Sequence, residues 1–281
     1  MEREGVIKYR LDFTPAEAVD ENALTALQQW RLTLYQLGLI GQDPERYGGL
    51  GYGNISQAIS LGRYKHSAKE EQGAEGEFDT EEEHRAEGNN QDGDKGTNDL
   101  PERSWSEVDS VAADAAHTAR DFIISGTQTG ELSELAPEHY ALVNLCDPIE
   151  NHIIAQGPIK PSSEALTHGA IYALSPEIRA VIHVHSPEIW SLREKLLMPS
   201  TPLDVPYGTP EMAQAVQQLW QSGQLKSAPV LAMGGHEDGI ISFGRNMAEA
   251  GMAMLNAFQW ARALQLADDA EAGKVELTHG F

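Results

Sequence analysis

Cysteine is almost missing from this chain of 281 residues, in which Cys146 stands alone. One thiol cannot build a disulfide framework or a cysteine-rich zinc site, and such sparse use fits a reducing compartment. Positive charge is scarce too: 20 lysines and arginines face 43 aspartates and glutamates, a net charge of −23. That balance excludes nucleic acid and an anionic membrane surface as main partners, since both would be repelled. An anionic small molecule would need local help from a metal or from helix N-termini. Long apolar runs are also absent, with nowhere about 18 consecutive apolar residues. The opening Met1-Glu2-Arg3-Glu4-Gly5 has no apolar core of a secretory signal. The expectation is a soluble cytoplasmic protein.

What is present is enough for one large core, at 41% hydrophobic residues. The pattern is interrupted once. From His66 to Leu100 there are 12 acidic and 3 basic residues, with only Phe78 and Leu100 large and apolar. Such a segment buries too little surface to offset its ordering entropy, so residues 66–100 read as a disordered acidic insertion in a single domain spanning 1–281. Ahead of it, residues 15–39 carry Leu24, Leu27, Leu32, Tyr35 and Leu37 at near-helical spacing, with Gly38 as a stop. Gly48 to Ser56 is too glycine-rich for a regular element and suits a backbone that approaches a ligand closely. Beyond the insertion, strands are expected at 121–125, 141–145, 151–155, 180–185, 229–233 and 240–244. Helices are expected from Pro161 through Tyr172, from Thr209 to about Trp220, and over 247–267. Alternating strands and helices without a dinucleotide-binding glycine fingerprint suggest a layered α/β or α+β domain whose sheet need not be parallel.

The run Ala180-Val181-Ile182-His183-Val184-His185 carries the first chemistry. Residues i and i+2 of a strand share a face, so His183 and His185 stand side by side in a geometry that suits zinc. Alone, the pair reads first as one core histidine beside a solvated one. A catalytic zinc wants about three protein ligands and one open position. His236, in a glycine-rich turn after an apolar strand, is a third candidate, and also an ordinary loop histidine. Glu164 opens a helix, where it could move protons or simply favour the positive end of the helix dipole. Ser162 or Ser163 is a good N-cap for that helix.

Taken in order, Gly53-Asn54-Ile55-Ser56, Thr129-Gly130, Pro161-Ser162-Ser163-Glu164, Ile182-His183-Val184-His185-Ser186-Pro187 and the glycine-flanked His236 resemble the class II aldolase/adducin family. That family includes L-fuculose-phosphate aldolase and L-ribulose-5-phosphate 4-epimerase. The resemblance covers about residues 20–62 and 118–265. It implies a three-layer α/β/α domain around a largely antiparallel or mixed sheet. It implies one zinc per subunit on His183, His185 and His236, with Glu164 as the acid/base. Asn54, Thr129, Gly130, Ser162 and Ser163 match the positions that hold a substrate phosphate. The implied activity is that of a lyase of carbohydrate metabolism, an aldolase cleaving a phosphorylated sugar or hydroxy-carbonyl compound through a metal-stabilised enediolate. The alternatives are an epimerase, dehydratase or decarboxylase using the same intermediate, or a non-catalytic adducin-like interaction module. Relatives form rings of four subunits, which implies a homotetramer.

The chain departs from the pattern in four places. The insertion separates Asn54 from Thr129. The stretch from His185 to Tyr207 is short, where a neighbouring subunit of relatives donates a catalytic tyrosine; Tyr207 is a weak candidate for that role. Glu237 and Asp238 intervene where the family reads His-Gly, as partners of the metal site or as a longer turn. The tail 276–281 lacks the tyrosine that the epimerase uses. His168, one turn after Glu164, is expected to pack or hydrogen-bond rather than bind metal.

Overall fold

The computed structural model describes residues 5–59 and 120–278, so the acidic segment 66–100 lies outside the described residues. In chain order the strands are β1 (Arg10–Pro15), β2 (Gly41–Gln42), β3 (Gly51–Tyr52), β4 (Asn54–Ala58), β5 (Phe122–Ser125), β6 (Tyr140–Asp147), β7 (His152–Gly157), β8 (Ala180–His185), β9 (Val230–Ala232) and β10 (Gly239–Gly244). The helices are α1 (Thr25–Gln36), α2 (Ala165–Leu174), α3 (Pro187–Leu192), α4 (Pro210–Gln221), α5 (Gln224–Ser227) and α6 (Met247–Thr278). Eight strands make one sheet in the order β1-β7-β6-β5-β4-β8-β10-β9, and β2 pairs with β3 apart from it. Only the β1–β7 ladder is parallel; every other pair in the large sheet is antiparallel.

Both faces of the sheet are covered, which is why β5 and β8 are buried at every position instead of alternating. On one face Phe122, Ile124, Val181, Ile241 and Phe243 pack with Leu166 and Ile171 of α2 and Met212 and Val216 of α4. On the other, Ile123, Ile182, Val184 and Ile240 pack with Leu27 and Leu34 of α1, Ile189 of α3 and Met254 of α6. The result is a three-layer α/β fold with a mixed sheet. No helix among the described residues is long and apolar enough to cross a membrane.

Several local expectations are corrected. The glycine-rich stretch holds β3 and β4, and β4 is a central strand between β5 and β8. Gly53, at φ 76°, supplies a left-handed kink between them, so the glycines punctuate the strands without abolishing them. The span 15–39 is not one helix: β1 runs to Pro15, Asp20 caps a short 3-10 turn at Glu21–Ala23, and α1 follows. The alternating Arg10-Leu11-Asp12-Phe13 of β1 was missed altogether, as was α3. Ser186 caps α3, its hydroxyl accepting the Ile189 N–H, with Pro187 at the first helical position. Regular helix begins at Ala165 instead of Pro161, and α6 continues past 267.

Candidate functional site

Register brings the site together on the α2 side of the sheet. Val181, His183 and His185 share one face of β8, with Asn54 opposite His183 on β4 and Gly239 opposite His185 on β10. His236 reaches the same place from the turn between β9 and β10. That turn is tight: the His236 N–H donates to the Met233 carbonyl at 3.1 Å and the His236 carbonyl accepts from Gly239 at 2.9 Å. Gly239 is required here, because a Cβ at this position would lie 2.6 Å from His236 Cδ2.

One nitrogen from each of His183, His185 and His236 falls within 4.8 Å of the others. The Nε2 atoms of His185 and His236 are 3.1 Å apart, close to the roughly 3.3 Å separating two nitrogens on a tetrahedral zinc. All three side chains are buried. Desolvation pushes His183 down to about 3 and holds His185 and His236 well below the ordinary 6.5, with neighbouring imidazoles adding to the effect. The rings are therefore neutral across the physiological range, the state a metal requires. Buried His183 Nε2 has no hydrogen-bond partner among the described residues. Three neutral, converging imidazoles with an unanswered nitrogen could hold a metal ion. Tyrosines back the cluster: Tyr47 meets the His185 ring at 4.6 Å and Tyr207 the His236 ring at 4.4 Å.

Glu164 stands at the N-cap of α2, almost wholly buried. Its Oε2 accepts the Thr167 hydroxyl at 2.8 Å, and its Oε1 lies 3.7 Å from His236 Nε2. A carboxylate so placed is within reach of a molecule held at the histidines.

Asn54, Thr129, Gly130, Ser162 and Ser163 all line one small pocket, partly open to solvent. Its walls are polar side chains and glycine backbone, with no lysine or arginine from among the described residues. Gly130 is fixed by contact, since a Cβ there would lie 2.2 Å from the Gly41 carbonyl oxygen. Asn54 joins pocket to histidines, its Nδ2 lying 3.2 Å from His183 Nδ1 while Oδ1 has no hydrogen-bond partner among the described residues. A half-turn of this amide would let Oδ1 accept Nδ1–H, leaving His183 Nε2 as a lone-pair donor and turning the NH2 toward the pocket.

Other expectations resolve differently. His168 bonds Ser56 Oγ at 2.6 Å, which in turn bonds the Tyr172 hydroxyl at 2.7 Å, so it packs beneath the site as expected. Tyr207 is buried against His236, and its hydroxyl accepts the Val6 N–H at 3.3 Å. Glu237 is exposed, whereas Asp238 turns inward to the Tyr47 hydroxyl at 2.6 Å.

Three supporting residues escaped the sequence reading. Buried Arg31 of α1 donates to the carbonyls of Thr129 and Ser133, each at 2.9 Å, bracing the pocket turn from below. Lys8 sits 3.4 Å above the Tyr207 ring. Tyr47 lies in the glycine-rich segment before β3, where no local pattern marks an aromatic contact. An arginine inside an otherwise apolar helical stripe was the one available signal.

Residues 110–265 match the sequence profile of the family described as Class II Aldolase and Adducin N-terminal domain. Among solved structures, L-fuculose-1-phosphate aldolase from Thermus thermophilus is similar with a TM-score of 0.52 at 16% identity, covering 90% of this chain and 97% of its own. Sugar-phosphate aldolase from Thermotoga maritima gives a TM-score of 0.53 at 14% identity, with 89% and 96% covered. YgbL from Klebsiella pneumoniae gives a TM-score of 0.51 at 16% identity, with 88% and 91% covered. At these identities the likeness is one of fold.

Proposed function

Because the chain belongs to the class II aldolase and adducin N-terminal domain family, we propose that it is a zinc-dependent aldolase-type lyase acting on a phosphorylated sugar or related hydroxy-carbonyl compound. The observation that carries this reading is one arrangement: three neutral buried histidines, a buried carboxylate 3.7 Å from one of them, and a cation-free polar pocket joined to them through Asn54.

His183, His185 and His236 would hold the zinc, which when bound supplies a Lewis acid that stabilises negative charge developing beside a carbonyl. Glu164 adds or removes the proton at the neighbouring carbon, its carboxylate oriented by the Thr167 hydroxyl. The pocket holds the phosphate with Asn54, the Thr129, Ser162 and Ser163 hydroxyls and the backbone N–H at Gly130. Oriented neutral donors and a nearby helix N-terminus suffice for an anion without lysine. The donor side chains are themselves largely buried, which limits the competition of bulk water for these bonds.

A non-catalytic interaction module would have no use for a full ligand set beside an acid/base, and this favours an enzyme. The reading extends to one cytoplasmic domain spanning 1–281 and to a homotetramer. The exposed Met252, Trp260 and Leu266 along α6 offer apolar material for subunit contacts. The deciding experiment is a screen of ketose phosphates on metal-analysed protein, with detection of released aldehyde or dihydroxyacetone phosphate. Isomerised or decarboxylated product without cleavage would move the assignment to the epimerase, dehydratase or decarboxylase alternative. Protein lacking zinc and indifferent to chelator would defeat it.

A further inference from the structure

Beside the histidines lies a cluster to which the proposed reaction gives no role. Tyr47 and Asp238 both occupy the left-handed backbone region, at φ 50° and 63°. Few residues with a Cβ adopt it, and they persist there only when their surroundings over-determine the conformation. Here the two meet: the Tyr47 hydroxyl donates to Asp238 Oδ2 at 2.6 Å. Arg46 completes the cluster. Its guanidinium donates to the Tyr47 hydroxyl and lies 3.4 Å from the same Asp238 oxygen, balancing a carboxylate whose side chain is only 14% exposed. It also covers the Tyr47 and Tyr52 rings, at 4.8 and 5.2 Å from their centroids.

The cluster touches the metal-ligand geometry at three points. The Tyr47 ring stands edge-on to His185 at 4.6 Å, and Tyr52 packs beside Tyr47 with its ring 5.5 Å from His185. The Asp238 carbonyl accepts the N–H of Ser186, next to His185, at 2.9 Å. Asp238 also lies two residues beyond His236 in a turn shut by the Gly239 to His236 backbone bond. A single side-chain hydrogen bond thus ties the loop before β3 to the turn bearing one histidine and to the strand end bearing another.

We propose that Tyr47 and Asp238, steadied by Arg46, are positioning residues that hold His185 and His236 at metal-binding separation within one chain. This rests on the zinc reading of the histidines. Neither residue touches substrate or metal; their effect passes through the orientation of the two rings. Partners beyond a metal's direct ligands commonly change its affinity by 10- to 100-fold.

The test measures zinc affinity of the full-length, zinc-free protein by competition with a chromogenic chelator, and records the visible spectrum of the cobalt(II)-loaded form. Tyr47→Phe keeps the ring and removes the bond; Asp238→Asn weakens it from the other end. Each should lower zinc affinity about 10- to 100-fold and perturb the cobalt spectrum, and the double variant should be no worse than the weaker single one. Glu237→Gln, in the same turn with an exposed side chain, should match the parent protein. Melting of the metal-free proteins reports whether each variant folds; if one does not, the other decides. Zinc affinity within twofold of the parent for a folded variant, or an equal loss in Glu237→Gln, overturns the proposal. If His185→Ala loses zinc while both clamp variants keep it, only the clamp is wrong. A parent protein with no zinc affinity removes the zinc reading and the clamp together.

Discussion

Asn54 and His183 face each other across the β4–β8 ladder, with the side-chain amide 3.2 Å from the imidazole Nδ1. One residue therefore borders both the polar pocket and the histidine cluster, and its carboxamide can serve an imidazole with one end and an anion with the other.

Asn54→Asp separates the two duties. The carboxylate still accepts from His183 Nδ1–H, so zinc affinity should stay within a few-fold of the parent protein. The same charge repels an anion in the pocket, so inorganic phosphate should bind at least about 10-fold more weakly. Calorimetric titration with phosphate checks this, and undiminished binding would remove Asn54 from the anion site.

Glu164→Gln keeps the shape and the bond from Thr167 but cannot carry a proton. With zinc bound and the fold unchanged, kcat should fall about 10²- to 10⁴-fold, the usual contribution of a positioned general acid or base. Unchanged turnover on the substrate that the ketose-phosphate screen identifies would reassign the proton transfer.

The metal-free protein should lose stability in mild acid. Burial lowers His183 from 6.5 to about 3, and His185, His236 and His168 move in the same direction. Below pH 6.5 the unfolded chain takes up protons that the folded chain refuses. The stabilisation is thus complete above 6.5 and, for His183, is lost progressively down to about 3. Each such histidine contributes a slope of up to about 1.4 kcal/mol per pH unit. Denaturant melts from pH 8 to 4 on chelator-treated protein should show the decline, and flat stability over that range would contradict it.

Arg31→Ala should destabilise by about 1–3 kcal/mol, since it leaves the carbonyls of Thr129 and Ser133 without their buried donor. Phosphate binding should weaken along with it, while zinc affinity holds. Equal loss of both would mean that Arg31 supports the whole fold and not the pocket turn in particular.

The histidine strand was legible because period-two alternation needs no tertiary information: Ala180 to His185 is β8 residue for residue. The three-layer architecture and mixed sheet followed from element order together with the family resemblance. What stayed hidden depended on partners distant in the chain. The edge strand β1 exists because β7 lies beside it, and β4 is regular because β5 and β8 bond to it on both sides. Propensity alone could not predict that glycine-flanked residues would become the middle of a sheet. The same holds for Tyr47 and Asp238, separated by 191 positions, whose pairing has no local signature. The motif residues were visible one at a time; their shared pocket and the 3.1 Å approach of two imidazoles are properties of the register.

A pocket walled by neutral donors in a chain of net charge −23 reverses the usual effect of ionic strength. Where lysines draw an anion in, added salt screens the attraction and slows capture. Here the long-range field would oppose the proposed anionic substrate, and the pocket bonds proposed to hold it are short-range dipoles. Salt would therefore lower the barrier to encounter and leave the grip almost untouched, so phosphate should associate faster as ionic strength rises while its dissociation stays nearly constant.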